Sequence, residues 1–170
     1  MKYATTSSHK ANKRISSLLA TIVKLVQRIV GNGKKVKNRM FDDFTMEVGN
    51  ETTTLFTEEL NAGRITQHSL SDENYVLKER SNPEQYMTVF FEMCKRVVSP
   101  VVEVALNFDQ RVVVCSPTDR NGYAPINLKY FSKPQRPNDP EWNTAISRLM
   151  RFYTDRSVIA GCLSEEPFLL

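Results

Sequence analysis

One stretch limits what this chain can fold into more than any other: Arg111–Phe131, RVVVCSPTDRNGYAPINLKYF. Val112–Cys115 is a short apolar run rich in β-branched residues, and a second extended run leads toward Tyr130. Between them Pro117, Asp119, Asn121 and Gly122 crowd together. Asn121-Gly122 accepts cheaply the positive φ angles that a tight reversal needs. Asp119 can fold its carboxylate back onto following backbone N–H groups and fix the turn. The expectation is strand, turn, strand, with polar groups gathered at the reversal. Its plainest reading is a structural hairpin.

Helices are expected on either side. Phe41, Phe44, Val48, Leu55 and Leu60 form a partial helical stripe from Met40, weakened at Gly49 and Thr52–Thr54 and stopped at Asn61-Ala62-Gly63. Ile65–Arg80 reads as loop and short turns, with Ser69 or Ser71 as caps. Ser81-Asn82-Pro83-Glu84 has a capping residue, a proline in the first turn and an acid near the positive end. It predicts a helix to about Val98, stopped or kinked by Pro100. After the proline-rich loop Lys133–Pro140, Asn138 or Asp139 can cap a helix beginning at Pro140. Its expected buried face is Trp142, Ala145, Ile146, Leu149, Met150 and Tyr153. Thr154–Leu163 turns back, and Phe168–Leu170 begins another strand.

Charge divides the chain in two. Ten of the 23 basic residues precede Met40, where there is no Asp or Glu; 13 remain against all 19 acidic residues. Residues 1–39 therefore read as a basic arm and residues 40–170 as the folded domain. Within the arm, Ile15, Leu18, Leu19, Ile22, Leu25, Val26 and Ile29 recur at helical steps, which predicts an amphipathic helix over Arg14–Val30. Lys24 and Arg28 interrupt its apolar run, and no small-residue cleavage pattern follows, so it reads neither as a membrane span nor as a signal peptide. Its apolar stripe fits packing on a neighbour or self-association with a second copy. Its charge also fits an anionic membrane surface. Nucleic acid is the weaker partner, because Tyr3 is the lone aromatic before Met40.

Catalytic chemistry finds no constellation. His9 and His68 have no neighbours suited to a metal or a triad, and no Gly-rich phosphate loop opens a helix. Neither an enzyme nor a cofactor is expected. Cys94, Cys115 and Cys162 are odd in number and widely spaced in apolar surroundings, which reads as buried, reduced, inert thiols in a cytoplasmic setting. Asp42-Asp43, Glu58-Glu59 and Glu165-Glu166 read as solvated acidic faces.

Asp119-Arg120-Asn121-Gly122-Tyr123-x-Pro125, then Lys129-x-x-Ser132-x-Pro134-Gln135 and Asp139-Pro140-x-Trp142-Asn143, resemble the Cache/PAS-like sensory module of bacterial methyl-accepting chemotaxis proteins. Leu60–Ile65, Asn82-Pro83-x-Gln85-Tyr86 and Glu166–Leu170 extend the resemblance over roughly Phe56–Leu170. Ile126-Asn127 stands where that family has a Thr-His-Asn run, and the family's further strands and signalling coiled coil do not follow Leu170. The resemblance implies an α/β fold of the α+β kind, a PAS/Cache-like antiparallel sheet flanked by helices, cut short at its C-terminal end. It also implies a signal-sensing module that binds a small molecule between sheet and helices. Asp119, Arg120, Asn121, Tyr123, Asn127, Trp142 and Asn143 are the residues expected near that ligand. Tyr123 and Trp142 offer apolar faces with a polar tip, and Arg120 could fork onto a carboxylate. Plainer readings stand beside these: Trp142 as core, Arg120 as a surface turn residue, Asn121 as a turn former. The alternative function is an accessory interaction protein that works through the basic arm. With the family's later strands missing, Val112–Cys115 is expected near an exposed sheet edge.

Overall fold

The computed structural model describes residues 39–163 apart from 111 and 113. The predicted arm helix, the strand at Phe168–Leu170 and the Glu165-Glu166 pair lie outside the described residues.

Helix α1, Arg39–Asn61, starts and stops where the apolar stripe predicts. In its weak middle each threonine hydroxyl is satisfied by a carbonyl one turn back. Thr52 Oγ1 donates to Val48 O at 2.9 Å and Thr53 Oγ1 to Gly49 O at 2.9 Å. Gly63, at φ +67°, closes the end. Helix α2, Gln67–Leu70, follows. Its cap is Thr66, whose Oγ1 accepts from Ser69 N at 3.1 Å, and the predicted caps Ser69 and Ser71 lie within it and after it.

Strands β1, Val76–Leu77, and β2, Tyr86–Met87, pair antiparallel with Val76 opposite Met87. The helix predicted from Ser81 does not form there. Its backbone groups are committed elsewhere: Asn82 N donates to Gln135 Oε1 at 2.8 Å, and Pro83 O accepts from Gln135 Nε2 at 2.7 Å. Helical structure begins instead at α3, Phe91–Met93, and passes through a wide π-type turn, Cys94–Val98, into α4, Ser99–Phe108. Pro100 does not stop this helix. It lies in the first turn of α4, where a missing N–H removes least.

Strand β3, Tyr123–Ala124, pairs antiparallel with β4, Arg151–Phe152, with Tyr123 opposite Phe152. The predicted hairpin with Val112–Cys115 is therefore corrected. The described residues of that run lie outside any ladder, and Val112 and Cys115 are buried in the core. Val112 and Cys115 satisfy their apolar side chains by burial, and the described residues of the run form no exposed sheet edge. Lys129–Phe131 forms a 3₁₀ turn instead of extending the second strand. Helix α5, Pro140–Ile146, begins as predicted, with Asp139 Oδ1 accepting from Trp142 N at 3.2 Å. It ends early, and Ser147 bridges to Ser132. Its buried residue is Asn143, while Ala145 is exposed. Helix α6, Arg156–Leu163, completes the described elements.

The architecture is α+β, with helices and two two-stranded antiparallel sheets among the described residues. Phe44 and Phe108 stack at 3.9 Å between ring centroids and join α1 to α4. A second aromatic group surrounds Tyr123: Tyr75 at 5.1 Å, Phe152 at 5.4 Å and Phe90 at 6.2 Å. The three cysteines are buried. Burial pushes the Cys94 and Cys115 thiols up to about 12, which keeps both protonated and inert.

Glu59 corrects one reading. Its carboxylate is not on a solvated face; it is buried and gripped by two guanidiniums. Arg64 Nη2 donates to Oε1 at 2.8 Å, and Arg96 Nη2 donates to Oε2 at 2.5 Å. The grip ties α1 to the loop after it and to the π-type turn. Hydrogen bonds from Arg96, then Arg64, hold the Glu59 carboxyl at about 2 against an ordinary 4.5. An acid depressed in the folded state contributes stability that is complete above its ordinary pKa and lost as pH falls toward the folded value. Urea titrations should therefore show stability falling from pH 4.5 toward about 2, with a smaller fall in Glu59→Gln. A Gln variant that keeps the wild-type acid slope would show that the grip carries none of it.

Candidate functional site

The turn at Asp119 is built from its own side chain. Asp119 Oδ1 accepts from Asn121 N at 2.8 Å and from Tyr123 N at 2.9 Å. The backbone closes the same loop: Gly122 N donates to Asp119 O at 3.0 Å and Asp119 N to Tyr123 O at 2.9 Å. Asp119 thus folds back as the sequence predicts. Of the Asn121-Gly122 pair, only Gly122 takes a positive φ, +81°.

Gly122 is required twice over. A Cβ there would stand 2.5 Å from Tyr153 O and 3.0 Å from Ile159 Cδ1. The close approach lets Tyr153 N donate to Gly122 O at 2.9 Å, which continues the β3–β4 pairing.

The second carboxylate oxygen points at a residue far away in sequence. Tyr75 Oη donates to Asp119 Oδ2 at 2.5 Å, and Asn121 Nδ2 donates to Tyr75 Oη at 2.9 Å. These three side chains form one wall of a cleft of about 340 Å³ between the turn and the 68–75 segment. His68, Asp72, Glu73, Phe90 and Arg120 also line it. The volume falls within the range of small-molecule sites, about 300–1,000 Å³. The wall mixes the phenyl face of Phe90, a phenol, an amide and carboxylates, with one guanidinium at its edge.

Burial raises the Asp119 pKa above its ordinary value, while the Tyr75 hydroxyl and the Tyr123 and Asn121 N–H groups pull it down. Burial also raises the Tyr75 phenol, so Tyr75 stays protonated and remains the donor. The wall therefore presents a carboxyl group whose donors are in place but to which no guanidinium or ammonium is bonded among the described residues.

The structure divides the predicted site residues. Asp119, Arg120 and Asn121 line the cleft. Tyr123 lies beneath it, fully buried, with Oη donating to Tyr86 O at 2.6 Å. Asn127 is buried elsewhere and caps its own chain, Oδ1 accepting from Leu128 N at 2.9 Å. Trp142 is half-buried under the Arg136 guanidinium, 3.8 Å from the ring centroid. Asn143 staples two loops, Oδ1 accepting from Arg136 N at 2.7 Å and Nδ2 donating to Asn82 O at 2.9 Å. Sequence reasoning missed Tyr75 and the 68–73 wall. The local hint was an acid pair beside an aromatic, Asp72-Glu73-Asn74-Tyr75, in a loop.

No protein-family model, no characterised protein and no solved structure matches the chain.

Two substitutions test this geometry. Gly122→Ala should destabilise by at least about 1–3 kcal/mol, the strain of a left-handed non-glycine residue, and should disturb the β3–β4 pairing. Denaturant unfolding reads the first effect and amide exchange at Tyr153 the second. Tyr75→Phe removes a donor to a carboxylate and should cost about 1.5–3 kcal/mol. It should also raise the Asp119 pKa further, read from its carboxyl carbon resonance across a pH titration. An unmoved Asp119 titration would mean that the hydroxyl is not its partner in solution.

Proposed function

We propose that this domain is a signal-sensing module that binds a small molecule in the Tyr75–Asp119–Asn121 cleft and performs no catalysis. The observation that carries the reading is the cleft wall itself: a buried carboxylate, a phenol and an amide fixed by one another before any ligand arrives. Such preorganisation lowers the ordering cost of binding. A second support is the coincidence of motif and place. Asp119, Arg120 and Asn121 begin the motif that resembles the Cache/PAS-like module of chemotaxis receptors, and the same three residues line the cleft. The full PAS-like sheet belongs to this proposal, with β3–β4 as its portion at the site. Asn127, Trp142 and Asn143 take supporting roles in it, holding loops rather than ligand.

The proposed setting is cytoplasmic, with membrane association through the basic arm. Self-association through the apolar stripe of Arg14–Val30 is the proposed route of pairing. Among the described residues, no helix is long and apolar enough to cross a membrane.

The test is a thermal-shift screen of the full chain against amino acids, organic acids and purines. A ligand at about 100 times its Kd adds about 2.7 kcal/mol and raises the melting temperature. Arg120→Ala and His68→Ala alter exposed cleft residues and should reduce the shift without unfolding the protein. Tyr123→Ala is the wrong probe: it empties the core and should itself cost about 3–5 kcal/mol. A folded protein with no shift across the panel defeats the sensing reading. Liposome or DNA binding lost on removal of residues 1–38 would then support the interaction-protein reading.

A further inference from the structure

A second cleft, of about 440 Å³, opens on the opposite side of α2, lined by Arg64, Thr66, Ser69, Met93 and Arg96. We propose that it is a binding site for a small organic monocarboxylate with an apolar body.

The argument begins with the two guanidiniums. Glu59 fixes both: it accepts from Arg64 Nε at 3.0 and 3.1 Å and Nη2 at 2.8 Å, and from Arg96 Nη1 at 3.1 Å and Nη2 at 2.5 Å. A guanidinium carries donors on all three nitrogens in one rigid plane. Glu59 thus occupies one edge of each and leaves other N–H groups, Arg64 Nη1 and Arg96 Nε among them, outside its grip. Both side chains are 53% exposed and line the cleft. The donors are held in position by a carboxylate that is itself only 4% exposed. An entering anion would not have to order them.

Charge selects the ligand class. Two guanidiniums against Glu59 leave one positive charge at the grip itself, and Glu92 on the same lining brings the sum to zero, so the attraction is local to the arginine N–H groups outside the grip and suits one carboxylate there. Glu92, exposed on the same lining, repels a second negative charge and disfavours a dianion such as phosphate. Part of the remaining lining is apolar: Ile65 and Met93 are buried and Val89 is 56% exposed. It can cover the body of an organic acid. Thr66 and Ser69 hydroxyls, 2.8 Å apart, share one proton between them and so have another to donate at the rim.

The probe is benzoate, with benzamide as its uncharged analogue and inorganic phosphate as the dianionic control, all on the full chain. Arginine side-chain N–H resonances report on the site directly. Benzoate should shift those of Arg64 and Arg96, benzamide should not, and phosphate should bind more weakly than benzoate. Glu92→Gln leaves the grip intact and should tighten benzoate severalfold. Arg64→Lys should weaken it about tenfold or more, the worth of one charged hydrogen bond. Should the Lys variant unfold, Glu92→Gln still decides. Unmoved arginine resonances in both the wild type and Glu92→Gln at millimolar benzoate overturn the proposal. Phosphate binding tighter than benzoate overturns the monocarboxylate assignment, and benzoate affinity indifferent to Glu92→Gln overturns the location. The screen against the first cleft is read through Arg120 and His68, so either site can fail alone.

Discussion

A carboxylate taken out of water must find donors, and the way Asp119 finds them arranges the middle of this molecule. Oδ1 takes two backbone N–H groups, which shapes the 119–123 turn. Oδ2 takes the Tyr75 hydroxyl, which brings in a segment 44 residues earlier in the chain. The turn aims Tyr123 into the core, where its hydroxyl reaches Tyr86 O and so holds β2. Tyr86 N in turn donates to Met150 O at 2.7 Å, beside β4. A single desolvated side chain is thus continuous, through hydrogen bonds, with both small sheets. Neither two-residue ladder would persist alone in water; the aromatic cluster and this chain of bonds hold them.

The two buried carboxylates differ in what pairs with them, and they respond to pH in opposite ways. Glu59 has two guanidiniums, and their hydrogen bonds outweigh its burial, so its ionised form is favoured by folding. Asp119 has neutral donors only, and burial outweighs them, so its ionised form is penalised by folding. Stability from Glu59 is present above its ordinary pKa and is lost on acidification. For Asp119 the sign reverses: the folded state is relatively better when it is protonated, and that advantage is lost as pH rises through its raised pKa. Glu59 therefore behaves as a structural fastening at neutral pH. Asp119 is instead a carboxyl beside a cleft whose ionised form folding penalises, and such perturbed groups are common at binding sites.

Local signals in the sequence were legible and distant ones were not. The Asp119 fold-back, the span of α1 and the Asp139 cap each depend on residues within a few positions of one another, and all three are present. The partner of Tyr123–Ala124 was missed because two-residue pairing leaves no alternation to read; the apolar Val112–Cys115 run looked like the partner and is core instead. Ser81–Glu84 carries real helix-start chemistry, yet Gln135 and Asn143 claim its backbone groups from more than 50 residues away. Glu59 read as a surface acid because the guanidinium on Arg96 lies 37 positions off. At the cleft, Asp119, Arg120 and Asn121 were visible as a motif, whereas Tyr75 joins them only through the fold.

Helix α2 stands between the two clefts, with His68 and Leu70 on one lining and Thr66 and Ser69 on the other. Four residues form scarcely one turn, too few for a helix to stabilise itself. Its position comes from its flanks: Thr66 caps it, Leu70 is buried, and Arg64 just before it is gripped by Glu59. The wall shared by both clefts is therefore an element with little cohesion of its own and strong dependence on its anchors. Of those anchors, the guanidinium of Arg64 lines the second cleft while its carboxylate partner comes from α1. The grip on Glu59 thus sets the second cleft directly and the first at one remove, by placing the short helix that closes it.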